Sequence, residues 1–335
     1  MVQKFLTLFK LGYPNFWRRD NTLIEKFITF LLLPFTSIYF FVSKISIKKV
    51  GRVGVPVVCV GNLNTGGSGK TPFVIYLANL LKEKKINVHI VTRGYLGKLN
   101  GPIKVDKKKH TYLDVGDEAM LLSDLVTTWV SKNRYEGAVM ATLDGADLII
   151  LDDGLQNYSL HQNFKIIMVD GSFGFGNGFL LPSGPLREAV NPRLKKSDLL
   201  IISNKDEYGI EKKLKNKIPI FHVSSKIKRI EKLKNKKIVG FTGIGKPENF
   251  LNSLKKKKLN VIKFFAFPDH YNFGKKKIDE LIKYANKNKS ILVSTEKDKQ
   301  RINSNQRNKI FFVNLKIELK EKSNLINFLK KKKIV

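Results

Sequence analysis

The stretch VVCVGNLNTGGSGKTPFVIYLANLL, residues 57–81, decides the fold. Val57–Val60 is apolar and β-branched and reads as a buried strand, and Gly61–Gly69 is a glycine-rich turn. After Lys70-Thr71, apolar side chains recur at helical spacing: Phe73, Val74, Leu77, Leu80 and Leu81. Strand, glycine turn, Lys-Thr and helix in that order is a phosphate-binding loop in its expected context. The backbone N–H groups of Asn64, Thr65, Gly66, Gly67, Ser68 and Gly69, with the helix N-terminus, would cradle nucleotide phosphates. Lys70 would bridge the β- and γ-phosphates of ATP and the Thr71 hydroxyl would hold Mg2+. The motif departs from its usual form at one position, where Asn64 replaces a glycine; asparagine tolerates the left-handed region better than most residues.

Outward from this loop, the chain has 335 residues, enough for about two domains. A single cysteine, Cys59, lies inside the first strand, which excludes a disulfide or zinc framework and suits a reducing compartment. The net charge of +34 is extreme. It is mostly lysine spread through helical segments, and runs such as Lys255–Lys258 and Lys330–Lys333 have no interleaved aromatics on which bases could stack. No nucleic-acid partner is expected; an anionic membrane surface or acidic ligand fits the charge, as does simple compositional drift.

Phe27–Ser43 is a run of 17 uncharged residues, interrupted by Pro34. That is the lower limit for a membrane span. Lys4, Lys10, Arg18 and Arg19 precede it with Tyr13 and Trp17, and Lys44, Lys48 and Lys49 follow. Basic flanks with aromatics predict an apolar helix lying in a membrane interface or forming a short anchor; a buried core helix is the alternative.

After the loop helix, Ile86–Tyr95 predicts a strand whose end carries Arg93 and Tyr95, with Arg93 a candidate anion contact. Asp117 and Glu118 open a helical stretch running from Val115 towards Arg134. The helix dipole favours carboxylates there, and the same position suits a base for a substrate hydroxyl. Arg134 could supply charge to a phosphate. The strand Leu148–Leu151 ends in Asp152-Asp153, the pair of strand-tip carboxylates that a phosphate-binding-loop enzyme uses opposite its Thr and Mg2+. Residues 171–190, rich in glycine with two prolines, cannot be regular structure and end in Arg187-Glu188. Strands alternating with helices predict a doubly wound α/β fold with a mostly parallel sheet. The boundaries expected are an N-terminal membrane-associating segment, 1–48, a phosphate-binding-loop domain, 49–220, and a smaller C-terminal α/β domain, 221–335. In the last, Lys237–Phe250 repeats the strand–glycine turn–helix theme without a Lys-Thr end, and Lys297-Asp298 closes a strand that could face the nucleotide. His270 is one of five histidines, and spacing alone leaves it open between a loop histidine and a functional one.

Taken in order, GNLNTGGSGKTP (61–72), TRGY (92–95), GDEAMLL (116–122), LDDGLQN (151–157), GFGNGFLLPSGPLRE (174–188), FPDHY (267–271) and STEKD (294–298) resemble the lipid A 4'-kinase (tetraacyldisaccharide 4'-kinase) family over nearly the whole chain. The resemblance implies ATP-dependent phosphorylation of the 4'-hydroxyl of an acylated glucosamine disaccharide 1-phosphate, on the cytoplasmic face of the bacterial inner membrane. It implies Asp117 as the base with His270 as its partner, Lys70 and Arg187 in the transfer step, and Thr71, Asp152, Asp153 and Glu188 around Mg2+. Arg93, Tyr95 and Arg134 are the substrate-side candidates. A phosphate-binding-loop GTPase or metal-insertion chaperone is the alternative. It would want a base-reading Asn/Thr-Lys-x-Asp motif, which Thr295–Asp298 approaches, and a metal-binding Cys/His cluster, which the sequence lacks.

Overall fold

A computed structural model describes residues 13–44, 50–228, 230–319 and 321–334. Lys4, Lys10, Lys48 and Lys49, expected to flank the membrane segment, lie outside them. The segment itself is two helices, α1 (Leu23–Leu31) and α2 (Leu33–Lys44), where one was expected. They meet at 48°, and among the described residues no single helix is long and apolar enough to cross a membrane. A Thr22–Glu25 capping box starts α1.

The other described residues supply twelve strands: β1 (Val57–Asn62), β2 (Val88–Thr92), β3 (Ile103–Lys104), β4 (Thr128–Val130), β5 (Leu148–Asp152), β6 (Phe164–Asp170), β7 (Leu199–Ser203), β8 (Ile220–Lys228), β9 (Lys237–Thr242), β10 (Asn260–Ala266), β11 (Ile291–Thr295) and β12 (Phe311–Leu319). They form one sheet in the order β10-β9-β11-β12-β8-β7-β6-β1-β5-β2-β4-β3. Among the described residues only the β3–β4 and β8–β12 pairs are antiparallel. The mostly parallel, doubly wound expectation holds. The division expected at residue 220 does not coincide with a break in the sheet, because β8 joins β7 on one side and β12 on the other.

The alternation of β1 shows how the sheet is covered. Val58 and Val60 face a core built with Phe73, Val74, Leu77 and Leu81 of α3 (Lys70–Lys82) and with Leu325 and Leu329 near the C-terminus. Val57 and Cys59 face the opposite core, with Ala138 and Ala141 and Leu194. Burial on both faces is why these strands are apolar throughout rather than alternating. Cys59 is fully buried, and burial pushes its thiol up to about 12, so it acts as a small hydrophobe. Phe164 on β6 is fully buried and meets Phe328 edge-on. Phe164→Ala is expected to cost about 3–5 kcal/mol by urea unfolding.

The stretch from Val115 to Arg134 is not one helix. It contains α4 (Asp117–Ser123), strand β4 and the start of α5 (Arg134–Leu143). Thr128, Trp129 and Val130 are all buried, because strand pairing with β2 outweighs the helical spacing read from sequence.

Candidate active site at the carboxyl edge of the sheet

β1 ends at Asn62, the glycine loop follows, and α3 begins at Lys70, so the helix N-terminus faces the space beyond the strand tips. Gly69 caps α3 with φ +85°, a conformation a side chain would strain. Lys70 Nζ donates to Asn62 Oδ1 (2.9 Å) and lies 3.6 Å from Asp153 Oδ1. Asn62 also donates to the Gly66 carbonyl (3.1 Å), so it braces both the loop and its lysine. The sequence reading passed over Asn62; a polar residue ending an otherwise apolar buried strand was the available signal.

Parallel pairing sets Val60 beside Asp152, which carries the two acids of β5 to the same edge. Asp152 is buried, and its Oδ1 has no hydrogen-bond partner. Burial, and then the neighbouring charges of Glu118 and Asp153, push it up to about 7. Asp153 has φ +53°, a left-handed conformation that aims it differently from its neighbour. Burial opposes its charge, but Lys70 and Arg187 hold its carboxyl below the usual range; Arg187 Nη1 donates to both oxygens at 3.0 and 3.1 Å. Among the described residues no group of three or more His, Cys, Asp or Glu forms a self-sufficient metal cage. An orphaned buried carboxylate oxygen in the cavity that Thr71 also lines suits Mg2+, which takes one or two carboxylates and completes its shell with phosphates and water.

The second cluster comes from distant chain segments. Gly116, φ +87°, precedes Asp117, and a Cβ there would meet the Tyr95 carbonyl at 2.4 Å. The GDE and RGY motifs are therefore packed backbone on backbone. His270 Nδ1 lies 3.0 and 2.9 Å from the two oxygens of Asp117. Burial works against the Asp117 charge; the hydrogen bond to His270 and the charges of Lys297 and Arg301 outweigh it and hold the carboxyl low. His270 has φ +57° and its ring stands edge-on to Tyr95. His270 lines the cavity, whereas Asp117, 3% exposed, does not.

One cavity of about 2290 Å3 joins the two clusters. Its walls include Thr65–Thr71, Asp152, Asp153, Arg187, Arg93, Tyr95, Arg134 and His270. Arg134 is buried, bonded to the Ser131 carbonyl, with its Nε unpartnered, and burial lowers its guanidinium to about 10. Asn64 and Glu188 fall elsewhere. Asn64 donates to the Gly174 carbonyl instead of lining the cavity. Glu188 is engaged through both oxygens, one by Gln156 and one by Arg193. Asp298 does not face the nucleotide side: it is fully buried and accepts from Thr242, Gly243, Ser294, Thr295 and Arg301. Lys297 does line the cavity; burial would lower it, but Glu118, Asp117 and Asp269 overcome this and raise it.

The glycine-rich segment 171–188 mounts the N-terminal helices. Trp17 Nε1 donates to the Pro182 carbonyl, the Thr36 hydroxyl donates to Ser183 (2.7 Å), and Tyr39 donates to the Arg187 carbonyl (3.0 Å). The residue that reaches Asp153 is thus tied through its own backbone to α2. Tyr13 stacks on Phe173 (4.0 Å) beside Gly66, and Lys246 lies over both rings while pairing with Asp170.

A phosphate cradle, a pair of strand-tip acids and a His–Asp pair opening on the same cavity define a phosphate-binding-loop kinase. Residues 28–333 match the model of the tetraacyldisaccharide-1-P 4'-kinase family. The tetraacyldisaccharide 4'-kinase of Paramagnetospirillum magneticum is 38% identical over 91% of this chain and 94% of its own length. That of Rhodospirillum rubrum is 34% identical over 92% and 94%. The crystal structure of LpxK from Aquifex aeolicus, described as a complex with ATP, superposes with a TM-score of 0.74 at 28% identity, covering 91% of this chain and 99% of that one. The chain belongs to the tetraacyldisaccharide-1-P 4'-kinase family. It is a kinase of lipid A biosynthesis that phosphorylates the 4'-position of the disaccharide precursor, and the GTPase or chaperone alternative is set aside.

Proposed function

We propose that ATP lies along the Thr65–Thr71 loop with its β- and γ-phosphates on Lys70, and that Thr71 and Asp152 would hold Mg2+. The ion would supply charge neutralisation for the transferring phosphoryl group. Arg187, which donates to Asp153, would add positive charge to that group. The sugar 4'-hydroxyl gives its proton to His270 Nε2, while Asp117 holds Nδ1, sets the tautomer and balances the imidazolium. Arg93 and Arg134, both on the cavity wall, receive anionic parts of the substrate. The observation that carries this reading is the single cavity shared by the glycine loop, Asp152 and His270. Its test is transfer of label from γ-labelled ATP to a detergent-solubilised acylated glucosamine disaccharide 1-phosphate. Incorporation at the 4'-position, dependent on Mg2+, is the expected result; hydrolysis without transfer overturns it.

The enzyme acts at the cytoplasmic face of the inner membrane, with α1 and α2 lying on the bilayer. Leu23, Phe30 and Phe41 are 84, 67 and 66% exposed, and Ile24, Phe27, Phe35 and Ile38 on the same two helices are exposed as well. Such a surface on a pair of short helices, flanked by Arg18 and Arg19, fits an interfacial contact. Phe27→Asp/Phe30→Asp is expected to move the protein from floated anionic vesicles to the soluble fraction, with ATP binding retained. Unchanged flotation removes this contact from the proposal.

A further inference from the structure

Behind the His270–Asp117 pair lies a residue that the reaction as described does not use. Arg301 and Asp117 are 1% and 3% exposed in their side chains, and Arg301 Nε, which has no hydrogen-bond partner, lies 3.3 Å from Asp117 Oδ2. The rest of the guanidinium is held on the other side. Nη2 donates to Asp298 Oδ1 (2.6 Å) and to the Gly243 carbonyl (2.9 Å), and Nη1 donates to the Tyr271 carbonyl (3.1 Å). The Gly243 carbonyl also accepts from the His270 backbone N–H (3.0 Å). One planar cation therefore touches the carboxylate and the loop that carries the imidazole. Its own position is set by Asp298, whose oxygens accept from Thr242, Gly243, Ser294 and Thr295 as well.

We propose that Arg301 is the positioning residue of the phosphoryl-transfer base: it fixes Asp117 and the His270 loop in one geometry and keeps the pair ready to take a proton. This rests on the reading of Asp117–His270 as the base. A guanidinium does this better than an ammonium, because its fixed fork meets Asp117, Asp298 and two carbonyls in separate directions. The charged groups facing Asp117 are His270 from the 267–271 loop, Lys297, and Arg301, with Glu118 adjacent on its own helix and paired to Lys297. Lys297 is shared with Glu118 and Asp269 and Arg301 with Asp298, and Arg301 is the cation that meets Asp117 from the buried side. With Arg301 neutralised, the pair binds its proton more tightly and the base is lost at a higher pH.

The test is the Asp298→Asn/Arg301→Met double variant, which removes both members of the buried ion pair and leaves neither charge alone. Turnover is expected to fall about 10- to 100-fold, with KM for ATP within about threefold of the wild type. The acid limb of the kcat profile should move to higher pH, by less than loss of the cation alone would give, because the Asp298 charge leaves with it. Arg301→Lys, which keeps a cation but not the fork, is expected to return the acid limb and recover only part of kcat. A folded double variant with the wild-type acid limb overturns the proposal. So does a slow one whose limb stays in place and which Arg301→Lys does not improve. If the double variant does not fold, Arg301→Lys decides: wild-type kcat sinks the inference, reduced kcat with unchanged KM for ATP supports it. Asp117→Asn separates the two readings: unchanged turnover there defeats the base itself, whereas its collapse beside an unaffected Arg301 variant defeats only the role of Arg301.

Discussion

Lys70→Ala is expected to lower kcat/KM for phosphoryl transfer by at least about 10^3-fold, because the side chain is the one cation that follows the glycine cradle directly into the helix N-terminus. Its place explains the size of the effect. Nζ is held by Asn62 Oδ1 and faces Asp153, so it is oriented before nucleotide arrives and little is lost in ordering it. Removing it also strips Asp153 of one of its two cationic neighbours, leaving Arg187 drawn more fully onto the acid. ATP affinity should fall together with turnover. Lys70→Arg should not restore activity, since a planar guanidinium cannot occupy the space of a compact ammonium between Asn62 and the phosphates. Steady-state transfer assays and equilibrium nucleotide binding check this; transfer within tenfold of wild type in Lys70→Ala, on the order of what a peripheral contact contributes, defeats the cradle reading.

Asp117→Asn is expected to lower kcat about 10^2- to 10^4-fold while leaving ATP binding nearly unchanged. The carboxylate touches His270 and Arg301 but not the cavity, so the nucleotide does not sense its loss directly. An amide at the same place can still meet Nδ1, but it carries no charge to balance an imidazolium. It also takes one of two carboxylates from Arg301, which keeps its pair with Asp298. His270→Ala should cost about as much, and the two together little more, because a pair acting as one unit is not additive. A large loss of nucleotide affinity in Asp117→Asn instead assigns the residue to the metal.

The elements read most directly were those where local chemistry and tertiary context agree. The apolar strand, the glycine turn and Lys70-Thr71 all demand the same thing, and β1 and α3 formed where the spacing placed them. Asp152-Asp153 after an apolar run was legible for the same reason, since acids ending a strand that is buried on both faces need a purpose. Elsewhere tertiary contacts decide what the local pattern does not contain. The helix expected to run from Asp117 and Glu118 towards Arg134 was cut short by pairing of β4 with β2, a contact no local pattern contains. Asn64 and Glu188 stand in the right motifs, yet their side chains are drawn to Gly174 and to Arg193 and Gln156. Motif membership places a backbone at a site but does not direct a side chain into it. Asn62 and Arg301 went unread because a bracing role depends on partners at the far end of a side chain.

By itself, then, the order of residues determined the parallel sheet, the phosphate cradle, the acids beyond β5 and the apolar N-terminal segment, because periodicity, glycine and strand-end charge act over a few neighbouring positions. Only the folded chain decided that His270 stands before Asp117 and that Arg301 lies behind it. It also decided that the helices at the N-terminus rest on the loop carrying Arg187. These juxtapositions join segments separated by more than a hundred residues, and they exist only where sheet order and packing bring the segments to one edge.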